Sequence, residues 1–158
     1  MFRELVRKGQ QLDENICIGL LKETKRGVLS VIGDDGYPYG TPINHFYNEE
    51  DGKIYFHGGK YGHKVDAMKR DPKVSFCVMD EGTHIDGQWF LTFRSVIVFG
   101  KMELIEDPEI IRDLSRKLSY KFTKDEDYIE YELEHSGPRT LMYALTIENM
   151  CGKRVNER

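Results

Sequence analysis

The most informative part of the chain is a long apolar run, Trp89-Phe90-Leu91-Thr92-Phe93-Arg94-Ser95-Val96-Ile97-Val98-Phe99-Gly100. With its flanks, residues 88–105, this run is far longer than an ordinary strand of roughly 5–6 residues. A strand of that length is expected to bend, and a glycine inside a strand often marks the bend. We therefore expect one strand that bends at Gly100 and serves two parts of a curved sheet, which predicts a β-barrel.

Shorter elements surround this strand. Alternating or β-branched apolar runs predict further strands at residues 27–33, 39–47, 53–57, 73–79 and 140–148. Helical spacing predicts helices near 12–20, at 62–70 and at 107–120, the last with Asp107 as cap and Ile111, Leu114 and Leu118 buried. Asp34-Asp35-Gly36 predicts a tight turn with positive φ. The predicted fold class is mainly β, a barrel with a few helices, in one domain over residues 1–158 with a disordered charged tail at 152–158.

Composition and charge narrow the class of protein. The 158 residues are 39% hydrophobic and carry a net charge of −4, with both signs interspersed. Because no basic run is long enough to neutralise a row of phosphates, we expect no nucleic-acid partner. The mean hydropathy is −0.56, and no apolar run approaches the roughly 20 residues that cross a bilayer, so we expect no membrane segment. The first residues lack an apolar signal segment, which predicts a cytoplasmic protein.

The spacing of cysteine and histidine predicts no metal site. Cys17, Cys77 and Cys151 are odd in number and far apart, which argues against a disulfide framework and a thiolate zinc site, and favours small core residues. His45 and His57 lie on neighbouring predicted strands and could share a metal ion. No third ligand has suitable spacing, so we predict that no metal is bound.

A proline inside a predicted strand marks a place where a ligand could reach the backbone. Pro42 donates no hydrogen bond to a neighbouring strand, so its strand has either an open side or a bulge at this point. Both arrangements leave backbone groups available to a ligand.

The strongest chemical signal lies where a strand meets a helix, in Ile54-Tyr55-Phe56-His57-Gly58-Gly59-Lys60-Tyr61-Gly62-His63-Lys64. Glycines here expose backbone N–H groups, and a helix start follows with a histidine and lysines nearby, which together favour a phosphate. The alternative is an ordinary glycine-rich turn with solvated basic residues. The spacing matches neither a P-loop nor a Rossmann fingerprint.

Taken in order, the motifs resemble one known family. After the N-terminal helix come Gly36-Tyr37-Pro38-Tyr39-Gly40-Thr41-Pro42-Ile43-Asn44, then Ile54-Tyr55-Phe56-His57-Gly58 with Gly62-His63-Lys64, then Asp71-Pro72-Lys73-Val74-Ser75-Phe76, then Arg94-Ser95-Val96-Ile97-Val98-Phe99-Gly100. This order resembles the pyridoxamine 5′-phosphate oxidase-like FMN-binding split-barrel superfamily over residues 12–153, and more nearly its nitroimidazole-resistance branch. The resemblance implies a split barrel, FMN as cofactor, and a homodimer with two FMN sites at its two-fold interface.

The resemblance also assigns residues to the cofactor. The strand Thr41-Pro42-Ile43-Asn44 would lie along the isoalloxazine ring and meet its polar edge largely through backbone groups. The ribityl chain and phosphate would be flanked by His57 and Gly58, while His63 and Lys64 would bind the phosphate. Ser95 would add a hydroxyl near the phosphate or the ribityl chain. No catalytic side chain is assigned, because FMN itself carries the redox chemistry.

By resemblance, the expected activity is FMN-dependent reduction of a small electron-poor substrate such as a nitroimidazole, fed by NAD(P)H or another reductant. Members that oxidise pyridoxamine phosphate carry a basic-aromatic C-terminal segment, which residues 147–154 do not match, so we expect a different substrate. Two alternatives stay open. One is a flavin- or haem-binding module without turnover, and the other is a barrel that serves only as an interaction scaffold.

Two other groups of residues are most simply structural. Asp125-Glu126-Asp127, with Glu130, Glu132 and Glu134, predict a solvated acidic surface, although buried pairs of carboxylates can act as acids or bases. Trp89, Phe90 and Phe93 predict core or interface aromatics, and one of them could instead cover the flavin.

Overall fold

The computed structural model describes residues 1–156. Eight strands in this range form one sheet: β1 (Gln11–Leu12), β2 (Arg26–Ile32), β3 (Pro38–Asn48), β4 (Lys53–Gly59), β5 (Lys73–Met79), β6 (Thr83–His84), β7 (Leu91–Ile105) and β8 (Thr140–Asn156). The α-helices are α1 (Glu14–Glu23), α2 (His63–Arg70), α3 (Pro108–Ser119) and α4 (Glu126–Ser136). None of the helices in residues 1–156 combines the length and the apolar character that a membrane span requires.

The sheet closes into a barrel. Its order is β1-β8-β4-β3-β2-β5-β7-β6, and β7 also pairs with β8, so that the six strands from β8 round to β7 form a closed ring. Every pairing in the sheet is antiparallel. The prediction of a mainly β barrel with a few helices is therefore confirmed.

The long strand β7 closes the ring by bending. It pairs with both β5 and β8, and its register with β8 slips between Phe99, which faces Asn149, and Gly100, which faces Ile147. A Cβ atom on Gly100 would collide with the carbonyl oxygen of Thr146, so the close approach of the two strands requires glycine. The bend predicted at Gly100 is confirmed.

Local signals also place most other elements correctly. The turn after β2 has positive φ at Asp35 and Gly36, 57° and 77°, as predicted. The Asp107 carboxylate caps α3 by accepting hydrogen bonds from the backbone N–H groups of Glu109 and Ile110. The buried residues of α3 are those predicted, Ile111, Leu114 and Leu118, and they pack on the outside of β3, β4 and β8 against Phe46, Tyr55, Met142 and Ala144.

The prediction of a disordered C-terminal tail is wrong. The tail predicted to be disordered is a strand as far as Asn156, because Gly152 pairs with Leu12 of β1 and Val96 of β7. Backbone hydrogen bonds between two neighbouring strands need no apolar side chains, so the charged composition is misleading. Glu157 and Arg158, the remainder of that prediction, lie outside the described residues.

The acidic segment that follows α3 forms α4, which periodicity did not predict. Asp125 caps it, and only Ile129 and Leu133 are buried. Glu130 forms ion pairs with both Arg112 and Arg116 of α3, and its side chain stays 40% exposed. These ion pairs join α4 to α3 in addition to the packing of its two buried apolar residues, and each contributes at most about 1 kcal/mol.

The barrel interior is apolar and includes α1, which contributes Cys17, Leu20 and Leu21. Of the three cysteines predicted as core residues, Cys17 is buried, whereas Cys77 and Cys151 are half-buried. All three are free thiols.

Candidate functional site

The barrel is open between β3 and β4. These strands pair only through His45–Asn48, while the earlier residues of β3, 38–44, pair with β2 alone. Pro42 lies on this open edge and is exposed, which confirms the open side predicted from it. The Thr41 hydroxyl is buried and lacks a hydrogen-bond partner among residues 1–156. Ile43 is only 8% exposed and belongs to the apolar core. The edge therefore offers polar groups that a ligand can satisfy.

A small cavity lies where this opening meets α3 and α4. Its volume is about 210 Å³, and Asn44 and His57 line one side of it. The rest of its lining comes from α3, α4 and the segment between them: Leu118, Ser119, Phe122, Thr123, Tyr128, Ile129 and Glu132. The Asn44 side-chain oxygen accepts a hydrogen bond from Arg26 Nε at 2.9 Å, which orients the amide. Two residues predicted from separate motifs therefore share one cavity.

The surroundings of His57 favour its neutral form. One edge of the residue is exposed, but burial of the rest lowers its pKa from the usual 6.5, and the Lys64 ammonium lowers that pKa further. A neutral imidazole can both donate and accept a hydrogen bond. The effect of Lys64 also shows that β4 and the start of α2 bring these two predicted residues near each other.

The glycine loop between β4 and α2 is shaped by Tyr143 of β8. The Tyr143 hydroxyl donates a hydrogen bond to the Gly59 carbonyl oxygen at 2.8 Å. A Cβ atom on Gly58 would lie 2.5 Å from that hydroxyl, so a side chain has no room there. Gly62, the residue before α2, has φ of 121°, which favours glycine. Burial raises the pKa of Tyr143 to about 12, so the hydroxyl keeps its proton.

Tyr143 is a site residue that sequence reasoning missed. It lies in the predicted last strand, where its alternation with polar neighbours indicates only a core residue. Its partner Gly59 is 84 residues away in the chain, so no local pattern could have connected them.

Lys64 supplies positive charge beside this loop. Its ammonium lies 5.3 Å from the centroid of the Tyr143 ring, a cation–π contact. Among residues 1–156 no carboxylate lies within the 4.0 Å of an ion pair with Lys64. Half-burial lowers the pKa of Lys64 because the charged form is partly desolvated. An anion at the start of α2 would restore the favourable surroundings that this cation lacks.

His63 stands at the start of the same helix and contacts the turn after β2. Its ring packs on Tyr39, with the two centroids 4.2 Å apart. Its Nε2 accepts a hydrogen bond from the Asp34 backbone N–H at 3.2 Å. The Asp34 carboxylate forms an ion pair with Arg70 at 2.9 Å. His63 and Lys64 are therefore the first two residues of α2 after the glycine loop, and Tyr39 of β3 packs against His63.

Ser95 lies apart from this group within one chain. It pairs with Met79 of β5 and Lys153 of β8, whereas His57 pairs with Met142, eleven residues earlier along β8. Ser95 lines a different cavity, of about 440 Å³, beside the N-terminal residues 3–7.

An apolar row crosses the outside of the barrel near Ser95. Val28 of β2 faces Cys77 of β5, which in turn faces Ile97 of β7. The exposed fractions of Val28, Ile97 and Phe99 are 39%, 41% and 41%. Trp89 is 84% exposed, so the prediction of a core residue is wrong for it, while an interface role agrees with this exposure.

His45 does not join His57. It lies inside the barrel, where its Nε2 donates a hydrogen bond to the Leu21 carbonyl oxygen at 2.9 Å. Lys121 Nζ donates to the carbonyl oxygens of Thr24 and His45 at 2.6 and 2.8 Å. The described part of the chain contains no cluster of three or more side chains able to ligate a metal.

Solved structures share this architecture. Rv2991 from Mycobacterium tuberculosis superposes with a TM-score of 0.80 at 20% identity, covering 95% of this chain and 90% of its own. A candidate 5-nitroimidazole antibiotic resistance protein from Bacteroides thetaiotaomicron gives 0.74 at 20% identity, covering 91% and 86%. An FAD-binding protein from Mesorhizobium loti gives 0.69 at 25% identity, covering 93% and 98%. These likenesses confirm the split-barrel fold.

No curated protein matches the chain. One family does, the pyridoxamine 5′-phosphate oxidase family, whose sequence model matches residues 13–154. That match covers the open edge of β3, the glycine loop and the bent strand, and it agrees with the resemblance carried by the motifs. The chain belongs to the pyridoxamine 5′-phosphate oxidase family.

Proposed function

We propose that the protein binds FMN between the open edge of β3 and the glycine loop, and that it reduces a small electron-poor substrate. One observation carries this proposal. A half-buried lysine without a carboxylate partner in the described residues stands at a helix start, beside a glycine loop held by Tyr143. The family and the FAD-binding neighbour from Mesorhizobium loti both support a flavin.

The residues fit a flavin phosphate in three respects. Lys64 lacks an ion-pair partner in residues 1–156, so a phosphate would neutralise a cation that is already partly desolvated. The crowding at Gly58 leaves backbone rather than side chains facing the loop. The unpartnered hydroxyl of Thr41 lies on the strand proposed to follow the ring, where it could meet a polar atom of the ligand.

The proposed site residues bind and orient the cofactor. Lys64 and His63 bind the phosphate, and backbone groups of residues 41–44 meet the polar edge of the ring. Bound FMN would supply the redox chemistry, accepting two electrons from a reductant such as NAD(P)H and delivering them to the substrate. The neutral imidazole of His57 can donate or accept a hydrogen bond beside the ribityl chain without adding charge.

The cavity beside Asn44 and His57 is proposed to admit the substrate. Its volume of about 210 Å³ is below the roughly 300–1,000 Å³ of sites for drug-sized ligands. Two aromatic residues, Phe122 and Tyr128, line it, which suits a small planar molecule. The neighbour from Bacteroides thetaiotaomicron supports a nitroimidazole as the first compound to test.

A homodimer would complete the site. The exposed apolar row through Val28, Ile97 and Phe99 is the kind of surface that a second copy of the chain would cover. Ser95 lies beside this row, so its proposed contact with the cofactor would be made with FMN bound mainly by the other subunit.

The first experiment is an absorbance spectrum of the purified protein, followed by titration with FMN and with FAD. We expect flavin bands and micromolar or tighter binding of FMN. Lys64→Ala should weaken FMN binding by about tenfold, the value of one charge-assisted hydrogen bond. The matched control is Lys69→Ala, which removes an exposed lysine from the same helix. A colourless protein that takes up neither flavin would contradict the proposal.

A second measurement separates the enzyme from a binding module. The FMN-loaded protein is mixed with NADH or NADPH, with and without a nitroimidazole, and oxidation of the nucleotide is followed. Consumption that depends on the nitro compound supports a reductase. If neither nucleotide is consumed and the flavin bands stay unchanged, the result would favour a binding module. Haem bands on addition of haem, again without consumption, would favour the same interpretation.

A further inference from the structure

We propose that Tyr39 and the backbone of Asp34 position His63 so that its Nδ1–H donates to the anion at the start of α2, which makes the site selective for a phosphorylated flavin. This inference rests on the proposed function and deepens it. Tyr39 and Asp34 are assigned here as positioning residues, because they act through His63 and do not themselves bind the anion.

The hydrogen bond from Asp34 settles the tautomer of His63. A backbone N–H can only donate, so the ring nitrogen that receives it, Nε2, has to present a lone pair. A neutral imidazole whose Nε2 accepts carries its proton on Nδ1. Among residues 1–156, Nδ1 of His63 has no hydrogen-bond partner. One ring nitrogen is therefore held by the protein, and the other is free to donate to a ligand.

The Asp34 carboxylate does not draw the imidazole proton to Nε2 instead. Arg70 holds one of its oxygens at 2.9 Å. The other oxygen is 3.7 Å from His63 Nε2, too far for a normal hydrogen bond. Because the guanidinium neutralises the carboxylate, the short contact to the ring comes from the backbone N–H and not from the carboxylate.

Tyr39 restricts the orientation of the ring. Its own ring lies against one face of the imidazole, with centroids 4.2 Å apart and planes inclined by 35°. Gly33 limits movement on another side, because even a Cβ atom there would lie 3.1 Å from Nε2. A side chain ordered before binding loses less entropy on binding, so its hydrogen bond contributes more to affinity.

The consequence is selectivity between flavins. The Lys64 ammonium attracts an anion from any direction, whereas an oriented N–H donor binds only an oxygen that lies along the N–H direction. Riboflavin carries the same ring system and ribityl chain as FMN but no phosphate. Disturbing His63 should therefore weaken the binding of FMN and leave that of riboflavin unchanged.

The binding test compares both flavins with the wild type and with variants at two tyrosines. Tyr39→Leu should weaken FMN binding by about five- to tenfold, less than the roughly ten- to hundredfold value of a hydrogen bond to a charged group, because the donor stays and only its orientation is lost, and it should leave riboflavin unchanged. Tyr39→Phe keeps the ring and should behave as wild type. The matched control is Tyr37→Leu in the same turn, where the side chain is 75% exposed. Equal loss for both flavins would identify Tyr39 as a ring contact and overturn the inference, and so would no loss for either.

Substitution of His63 itself distinguishes its two nitrogens. Asparagine places an amide N–H near the position of Nδ1, and glutamine places one near that of Nε2. We expect His63→Asn to retain more of the FMN affinity than His63→Gln. The reverse order would contradict donation from Nδ1.

An experiment without flavin tests this inference independently of the proposed function. Nitrogen-15 NMR of the histidine rings should show a proton on Nδ1 of His63, and titration with inorganic phosphate should shift that resonance. Binding of phosphate with this signature but no binding of FMN would end the proposed function and the selectivity between flavins, and would leave only the positioned Nδ1–H donor. A proton on Nε2 would overturn the inference even in a protein that binds FMN.

Discussion

The Tyr143 hydroxyl donates to the Gly59 carbonyl oxygen at 2.8 Å, while the face of the same ring lies 5.3 Å from the Lys64 ammonium. One side chain from the last strand therefore holds the glycine loop and contacts its cation. The geometry of the candidate phosphate site depends on the direct pairing of β8 with β4, which sets Tyr143 opposite Phe56 and Thr140 opposite Gly59.

Tyr143→Phe tests this link directly. The variant keeps the ring beside Lys64 but loses the hydrogen bond to Gly59, so we expect a loss of about 1 kcal/mol in the free energy of unfolding. FMN binding should weaken several-fold because the loop is less ordered. Urea unfolding and FMN titration measure the two effects. Tyr47→Phe, at a half-buried tyrosine on β3, is the control. Unchanged FMN affinity in Tyr143→Phe would show that the loop does not need this bond.

Two adjacent glycines offer a matched comparison. A Cβ atom on Gly58 would lie 2.5 Å from the Tyr143 hydroxyl, whereas the nearest atom to one on Gly59 is 3.9 Å away. Gly58→Ala should cost about 1–3 kcal/mol of stability, as expected for overpacking, and should weaken FMN binding. Gly59→Ala should change stability by less than about 1 kcal/mol. Thermal unfolding of the two variants checks this, and equal losses would contradict the close approach at Gly58.

His45 predicts a sensitivity to acid. Burial, with a contribution from the Lys121 ammonium, lowers the pKa of His45 to about 3. In the unfolded chain a histidine has a pKa of about 6.5. Below that pH the unfolded state therefore binds a proton at His45, whereas the native state does not. The free energy of unfolding should then fall by up to about 1.4 kcal/mol per pH unit, from pH 6.5 down towards pH 3. Above pH 6.5 His45 is neutral in both states and contributes no slope.

The variant His45→Gln isolates this contribution. Glutamine keeps an N–H donor near Nε2 for the Leu21 carbonyl oxygen but cannot be protonated in this range. Urea unfolding of both proteins at several pH values between about 7.5 and 4.5 should give a shallower dependence for the variant. Parallel curves would show that the proton uptake arises elsewhere.

The exposed apolar row predicts a dimer. Ile97→Glu places a charge in the middle of the row between Val28 and Phe99, so it should yield a monomer in light-scattering measurements and weaken FMN binding at the same time. Lys101→Gln, four residues along the same strand and also exposed, is the control. A wild-type protein that is monomeric at micromolar concentration would remove the basis for a shared site.

Several features of the site were predictable because they follow from single residues. Pro42 indicated an open strand edge, Gly100 indicated the bend, and the glycines after β4 indicated a loop with exposed backbone. Each of these rests on the conformational limits of proline or glycine, which do not depend on distant contacts. By contrast, α4 was not predicted, because its contacts, among them the ion pairs of Glu130 with Arg112 and Arg116, are with another helix and leave only a short apolar stripe in the sequence.

The sequence by itself determined the strand pattern, the turn at Asp35 and Gly36 and the approximate place of the glycine loop, since alternation and backbone restrictions are properties of neighbouring residues. The order of its motifs also indicated the family. Only the tertiary structure decided which side chains converge there. It brought Tyr143 to Gly59 and Tyr39 to His63, and it placed Ser95 apart from both within one chain. Such contacts depend on which strands and helices lie side by side, and a sheet joins residues far apart in the chain through registers that no local pattern encodes.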